Sequence, residues 1–269
     1  TFLQTQGNLF RGERIVRIHV EGIIVRDDAR RRTLARLAKD DDVRGVIVHV
    51  DSPGGSVVGG EDLYNSLRAI AETKPVATVM GTVATSAAYM TAIATDRIFA
   101  REGTITGSIG VILQTANVSE LLGRIGIEPI TIKSTALKGV PSPVEPLTPE
   151  GRAATEQVVL DLYDFFVDLV IERRPIDAGA VRLLADGRVF SGRQAVQNNL
   201  IDAIGDEAAA IDWMVREHDL PGGLPVETLR TSPDEDGLLE KITGLAGKSL
   251  FSNALTLDGL VSLWQPSPR

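Results

Sequence analysis

A serine lies where a buried strand gives way to a helix of small residues, in the segment ATSAAYM at residues 84–90. Ser86 would stand at the first turn of that helix, where the helix dipole favours a developing negative charge. This is the setting of a nucleophile elbow, although the G-x-S-x-G pattern is absent. The position also suits an ordinary N-cap serine, so Ser86 is a candidate nucleophile with a structural alternative.

A second segment, VHVDSPGGS at residues 48–56, ends a strand in a sharp turn before the next helix. Its adjacent glycines, Gly54 and Gly55, allow backbone N–H groups to face outward, and the helix that follows adds positive potential. Such a turn can stabilise an oxyanion. A strand–helix turn that simply requires left-handed backbone angles is the alternative.

A nucleophilic serine needs a base, and the three histidines are widely scattered along the chain. His49 shares a strand face with Asp51, but it directly precedes the glycine turn, which favours a structural role. Lys138 lies beside apolar residues in the Pro-rich loop 134–148. Desolvation there would favour the neutral amine that a base requires, although a solvated loop lysine is the alternative. These residues permit a Ser-Lys pair, a variant of the Ser-His-Asp arrangement.

The composition limits the classes of function. The chain of 269 residues has 36 acidic and 28 basic side chains, a formal charge of −8, and 4% aromatic residues. Nucleic-acid binding is disfavoured, because it needs a basic surface and stacking platforms. The absence of cysteine excludes disulfides, thiolate metal sites and a cysteine nucleophile. We therefore predict no metal site, no cofactor and no nucleic-acid partner.

Strand and helix patterns alternate along the chain, which indicates parallel βαβ units and an α/β fold. Strands are predicted at residues 15–20, 43–50, 76–80, 97–100 and 129–133. Helices are predicted at residues 28–39, 60–72, 86–94, 119–125, 149–174, 177–185 and 192–198. The uncharged stretch 76–95 has the length of a membrane span, but its threonines and its glycine favour a buried strand, turn and helix.

Three parts are predicted along the chain. Residues 1–14 form an irregular lead, with a membrane anchor expected to have been removed upstream. Residues 15–216 form the main domain. Residues 217–269 form a tail, rich in Gly, Pro and Ser from residue 221 onward and expected to be flexible.

Six segments, taken in order, resemble the signal peptide peptidase A family of serine peptidases in its short, single-repeat form. They are VDSPGGS, KPVATVMG, TSAAYM, TITGSIGV, the lysine loop, and ADGRVFSGRQA with LIDAIG. The resemblance runs from about residue 15 to about residue 214, roughly three quarters of the chain. It implies the α/β fold of Clp protease and the crotonases, with repeated ββα units and a helical extension. Residues 15–216 would then be a peptidase domain.

The resemblance also implies roles for individual residues. Ser86 would be the nucleophile, Lys138 the general base, and Ser108 the group that orients the lysine amine. The remaining positions are the oxyanion-hole N–H groups of Gly55 and Ala87, and substrate contacts at Gly54, Ala88 and Leu137. The family usually carries one or two glycines after the serine, and the two alanines here bear on which substrate side chains fit.

The implied activity is that of an endopeptidase that cleaves remnant signal peptides or other membrane-associated peptides. The resemblance further implies a homo-oligomeric ring on the bacterial inner membrane, with the catalytic domain on the periplasmic or extracytoplasmic side. Two alternatives stay open. In a crotonase-type acyl-CoA enzyme the Gly-Gly turn would polarise a thioester carbonyl, with Glu61 and Asp62 as the nearest acids. In a non-catalytic scaffold the fold would serve as an interaction surface.

Overall fold

The computed structural model describes residues 12–229 and 260–263. It confirms the α/β class, with helices around a largely parallel ten-stranded sheet. The strands are β1 (Arg14–Ile24), β2 (Val43–Ser56), β3 (Val76–Thr85), β4 (Arg97–Ala100), β5 (Ile105–Gly107), β6 (Ile112–Leu113), β7 (Val189–Ser191), β8 (Ala203–Ile204), β9 (Val226–Leu229) and β10 (Leu260–Leu263). The helices are α1 (Asp28–Leu37), α2 (Val57–Ala71), α3 (Ala87–Ile93), α4 (Ser119–Arg124), α5 (Pro149–Arg173), α6 (Ala178–Leu184), α7 (Gly192–Gln197) and α8 (Glu207–Glu217).

The seven predicted helices are all present, and their ends follow from local capping. The helix α2 begins earlier than predicted because the Ser56 hydroxyl accepts the Gly59 N–H at 3.1 Å. The helix α5 begins at Pro149, whose missing N–H is tolerated in a first turn, and Thr148 caps it. The prediction missed α8.

The sheet branches at the C-terminal ends of its central strands. Its parallel centre has the order β9, β1, β2, β3, β4, β8. β3 pairs with β2 as far as Ser52 opposite Ala84, while its last three residues pair with β5 on the other side. Beyond that point β10 runs antiparallel to the end of β2, and β6 pairs with the outer edge of β10.

Alternating residues of the central strands supply two separate cores. One face carries Val46, Val48 and Val50 of β2 and packs against α2 and α5 in a cluster that includes Leu67, Ile70, Phe166 and Val170. The opposite face carries Ile15, Ile47 and Ala77 and packs against Ala210 and Met214 of α8. This two-sided burial is typical of parallel sheets and fixes the register of β2 and β3.

The stretch 76–95 forms β3 and α3, as predicted. In the part of the chain that the structure describes, no helix is both long enough and apolar enough to cross a bilayer.

One strand prediction needs correction. The strand predicted at residues 129–133 is wrong: this segment has no regular structure, and Ile130 and Ile132 are 84% and 95% exposed. Beyond the predicted domain boundary at 216, Leu220 is buried in the α8 cluster and β9 pairs with β1. Residues 1–11 of the predicted lead lie outside the described residues, as do residues 230–259 and 264–269 of the predicted tail.

Candidate active site

Ser86 lies at the sharp junction between β3 and α3. Its backbone angles are φ 60° and ψ −122°, in a region that residues other than glycine rarely adopt, and the residue is 1% exposed. The Ser86 N–H donates to the Gly107 carbonyl at 2.8 Å, and its carbonyl accepts the Met90 N–H at 2.9 Å. Such backbone strain is typical of positions where a side chain must be aimed for chemistry. The junction is therefore a nucleophile elbow in shape, without the G-x-S-x-G sequence.

The glycine turn closes against the end of β1. Gly54 has φ 109°, and a Cβ atom added to Gly55 would lie 1.8 Å from the carbonyl oxygen of Ile24. Position 55 thus requires glycine because the backbone of Ile24 approaches too closely for a side chain. Position 54 requires glycine because its positive φ is strained for other residues. The buried hydroxyl of Ser52 holds the turn, because it donates to the Gly22 carbonyl at 2.6 Å and accepts the Gly54 N–H at 3.1 Å.

The serine and the glycine turn are joined through the last residue of β3. The Thr85 hydroxyl donates to the Pro53 carbonyl at 3.0 Å. Ser52 lies opposite Ala84 in the β2–β3 pairing, so both chains leave the sheet side by side. Sequence reasoning missed Ser52 and Thr85. The available signal was their position beside a glycine turn, where short hydroxyl side chains often bond to nearby backbone.

Ser108 stands beside Ser86 through the chain reversal at Gly107. Ser108 has φ 52° and is 8% exposed, and its N–H donates to the Arg188 carbonyl at 2.8 Å. The carbonyl of Gly107 is the one that receives the Ser86 N–H. The fold therefore brings Ser108 to the serine elbow.

The two alanines after Ser86 pack into the interior of the molecule. Ala87 and Ala88 are fully buried. A Cβ atom on Gly60 would lie 3.1 Å from both Ala87 Cβ and Met90 Sδ, so α2 and α3 are in close contact there. The Ala87 N–H belongs to the first turn of α3, where N–H groups have no acceptor within the helix. Ala88, a predicted substrate contact, has no exposed surface, and it belongs to the main core cluster.

Lys138 and Leu137 lie on an exposed loop between α4 and α5. Among the described residues, the Lys138 side chain has no hydrogen-bond or ion-pair partner, and its backbone N–H donates to Thr135 at 3.1 Å. Leu137 lines an apolar cavity of about 210 Å³ together with Leu113, Val140, Pro141, Gly151, Ala154, Thr155 and Val158. Among the described residues, the fold therefore brings Ser86, Ser108 and the glycine turn together, while the Lys138 side chain makes no hydrogen bond or ion pair.

His49 is held on the face of the sheet that packs against α8. Its Nε2 lies 2.6 Å from the Glu207 carboxylate, and its ring stacks on His19 with centroids 5.2 Å apart. The hydrogen bond from Arg17, helped by the one to His49, holds the pKa of Glu207 below its usual range. Ser86 begins α3, which packs in the cluster on the opposite face. The structural role of His49 that the sequence favoured thus agrees with this geometry.

Two family models match parts of this chain, and several known proteins are similar to it in sequence. The model of peptidase family S49 matches residues 68–220, and that of Clp protease matches residues 7–105. An Enterococcus faecium protein named as a signal peptide peptidase SppA is 37% identical over 195 residues, which are 72% of this chain and 57% of that protein. A Synechocystis protein named as a protease is 33% identical over 235 residues, 86% of this chain and 83% of its own.

The chloroplastic serine protease SPPA of Arabidopsis thaliana is 31% identical over 221 residues, 81% of this chain and 32% of that protein. The chain thus spans a little over half of the Enterococcus relative and about a third of the Arabidopsis one. The match to the Clp protease model agrees with the predicted relation to the Clp protease fold.

Proposed function

The chain belongs to peptidase family S49, and we propose that it is a serine endopeptidase with Ser86 as its nucleophile. The observation that carries the proposal is the strained, buried backbone of Ser86 at the β3–α3 junction, directly beside the Gly54–Gly55 turn. Strain of this kind costs about 1–3 kcal/mol and persists where the surrounding structure over-determines it. A structural N-cap serine would have no need of it.

In the proposed reaction, Ser86 Oγ attacks the carbonyl carbon of the scissile peptide bond. The negatively charged oxygen of the tetrahedral intermediate accepts hydrogen bonds from the backbone N–H groups of Gly55 and Ala87. The neutral amine of Lys138 takes the serine proton and then donates it to the leaving amine. Ser108 accepts a hydrogen bond from the amine and orients it. Water then attacks the acyl-enzyme ester in the second half of the reaction, with Lys138 again as the base.

We propose that Lys138 acts on the Ser86 of a neighbouring copy of this chain. A lysine works as a base only when desolvation removes the advantage of its charged form, and the lysine loop is exposed here. The surrounding segment also leaves eight large apolar side chains exposed, and a group of exposed apolar residues is typical of an interaction surface. Its exposed apolar residues are Val118, Leu121, Ile125, Ile127, Ile130, Ile132, Leu137 and Leu147. A second subunit packed over this segment would bury these residues and exclude water from Lys138, and repetition of the contact would close a homo-oligomeric ring.

The proposed substrates are peptides with small or apolar residues at the cleaved position, such as signal-peptide remnants and other membrane-associated peptides. The cavity lined by Leu113 and Leu137 has no charged side chain in its lining, which favours apolar substrate residues. The name of the Enterococcus relative agrees with signal peptides as one class. A membrane anchor outside this chain would hold the domain at the bacterial inner membrane, on its periplasmic or extracytoplasmic side.

A serine-reactive fluorophosphonate tests the proposal directly. We expect mass spectrometry to find the label on Ser86, and we expect Ser86→Ala to abolish both labelling and cleavage of a fluorogenic peptide with an unchanged Tm. Ser66→Ala, which removes a hydroxyl from the middle of α2, is the matched control and should keep both. Absence of labelling in the folded wild type, with turnover of an acyl-CoA thioester instead, would favour a crotonase-type enzyme. Absence of both activities would favour a scaffold.

A further inference from the structure

The strand β3 bulges where it passes Asp51 of β2. Its pairing with β2 is interrupted between Val50 and Ser52, where one residue of β2 faces three residues of β3, 81–83. The two additional residues leave the faces of β3 unchanged, because side chains alternate along a strand with a period of two. Without them Ser86 would lie two positions further along the strand, about 7 Å in extended chain. The bulge therefore determines where the serine elbow lies, as bulges beside active sites often do.

The carboxylate of Asp51 holds the backbone of this bulge. Its Oδ2 accepts the Thr82 N–H at 3.2 Å, and its Oδ1 accepts the Val83 N–H at 3.1 Å. These N–H groups have no partner in β2, since the described β2–β3 pairing skips the bulge. A second contact comes from the buried residue Thr104, whose hydroxyl donates to the Gly81 carbonyl at 2.8 Å. Side chains thus replace the regular ladder at this point.

Gly81 lies directly against the Asp51 side chain. A Cβ atom on Gly81 would lie 2.6 Å from Asp51 Oδ2, 2.8 Å from Asp51 Cγ and 3.0 Å from Asp51 Cβ, and these are the three nearest atoms. The φ of Gly81 is not in the left-handed region, so contact with Asp51, and not conformation, requires glycine at this position. The glycine that ends the KPVATVMG segment is therefore explained by the carboxylate.

We propose that Asp51 is a positioning residue for Ser86, because it sets the shape of the bulge and with it the place where β3 delivers the nucleophile. The inference rests on the proposed function and deepens it. A shift of the bulge passes to the elbow through residues 83–85, which end β3 and pair with β5. Asp51 is exposed, so water can reach the two N–H groups when the carboxylate is removed. The carboxylate therefore contributes more to geometry than to stability.

The experiment compares Asp51→Ala with Asp177→Ala. Asp177 is also exposed and also accepts two backbone N–H groups, those of Gly179 and Ala180 at the start of α6, which makes it a matched control. We expect Asp51→Ala to lower kcat for a fluorogenic peptide at least about tenfold with KM within about threefold, since misplacement by about 1 Å costs on the order of 100-fold in rate. Asp51→Asn keeps one acceptor oxygen and should fall between Asp51→Ala and wild type. Asp177→Ala should keep the wild-type kcat with a similar, small change in Tm.

A double variant tests whether Gly81 acts through Asp51. Gly81→Ala should lower kcat much as Asp51→Ala does, because the added methyl group displaces the carboxylate. With alanine at position 51, only the contact at 3.0 Å remains, so the same methyl group should lower kcat less than about twofold further. Losses that multiply in the double variant would show that the two positions act separately and would overturn the inference.

Hydrogen exchange separates failure of this inference from failure of the proposed function. The Ser86 N–H donates to the Gly107 carbonyl, so its exchange rate reports the place of the elbow even in a protein that cleaves no peptide. We expect Asp51→Ala to speed this exchange at least about tenfold and Asp177→Ala to leave it unchanged. Faster exchange in a protein whose wild type has no turnover would count against the proposed function alone. Equal exchange in the two variants, or a kcat of Asp51→Ala within about twofold of an active wild type, would overturn the role of Asp51.

Discussion

Replacing Gly55 by alanine tests how closely the glycine turn must fit against β1. The added methyl would lie 1.8 Å from the carbonyl oxygen of Ile24, 2.5 Å from the carbonyl carbon of Ile24 and 2.6 Å from its backbone nitrogen. Real Cβ contacts do not fall below 3.0 Å, so the two backbones must separate by at least 1.2 Å. No side-chain rotation can relieve this contact, because all three opposing atoms belong to the backbone.

The substitution would displace the backbone of residue 55, whose N–H is proposed to donate a hydrogen bond to the oxyanion. Misplacement of a reacting group by about 1 Å costs on the order of 100-fold in rate, and loss of one oxyanion donor costs about 100- to 1000-fold. We expect Gly55→Ala to lower kcat/KM of peptide cleavage at least about 100-fold, mainly through kcat. Overpacking should also lower the free energy of unfolding by about 1–3 kcal/mol. Urea unfolding measures that part separately.

Two further variants make the result interpretable. Gly103→Ala adds the same methyl group where no atom lies within 4 Å, so its activity and stability should match wild type. Ser52→Ala adds no atom but removes the hydroxyl that joins the Gly22 carbonyl to the Gly54 N–H. We expect it to lower kcat about tenfold with little change in KM, and Ser52→Thr to restore part of the loss. A Gly55→Ala enzyme that keeps more than a third of wild-type kcat/KM would refute the placement of the oxyanion hole.

The remaining predictions concern the base, the assembly and acid stability. Lys138→Arg should be inactive although folded, because a guanidinium does not give up its proton near neutral pH; cleavage by this variant at wild-type rate would exclude Lys138 as the base. An equal mixture of Ser86→Ala and Lys138→Ala chains should recover up to about a quarter of wild-type activity, as expected when each site draws on two subunits; no recovery after verified subunit exchange would point to a base within the chain. Specific activity should fall on dilution below the assembly concentration, measured alongside mass by light scattering. The hydrogen bond from Arg17 lowers the pKa of Glu207 in the folded chain, so the ionised carboxylate stabilises the fold above its ordinary pKa of 4.5, and this contribution is lost as pH falls through the lower folded pKa. Glu207→Gln should therefore reduce the difference between the free energies of unfolding in urea at neutral pH and at about pH 3. An unchanged difference would contradict this role of Glu207.

The elements around Ser86 were predictable because each carries a strong local pattern. An apolar run followed by small residues predicted β3, the turn and α3. The paired glycines predicted the turn that lies at the end of β2. The convergence of Ser86, Ser108 and Gly55 was not available from pattern, since it depends on the end of β3 pairing with β2 on one side and with β5 on the other. That pairing is a property of the whole sheet. The resemblance to a known family indicated which residues to consider, and the pairing of β3 with β2 and β5 explains why they lie close together.

The errors have identifiable physical causes. Residues 129–133 alternate apolar and polar side chains like a strand, but a strand needs a partner edge, and the described residues offer none there. β9 has four residues, too few for a pattern to stand out, and it was assigned to the tail. The full burial of Ala88 could not be read from local pattern either, because the core cluster that contains it joins residues far apart in sequence.

The backbone angles of Ser86 have a consequence for how this fold can change over generations. Glycine accepts φ 60° without the penalty that serine carries, and relief of about 1–3 kcal/mol would exceed the roughly 0.5–1 kcal/mol that glycine loses in chain entropy. A Ser86→Gly variant should therefore be dead as a peptidase yet harder to unfold than its parent. A mutation of this single codon to glycine would therefore give a more stable but inactive protein. In a lineage that needed the fold only as a scaffold, stability would favour the loss of the serine.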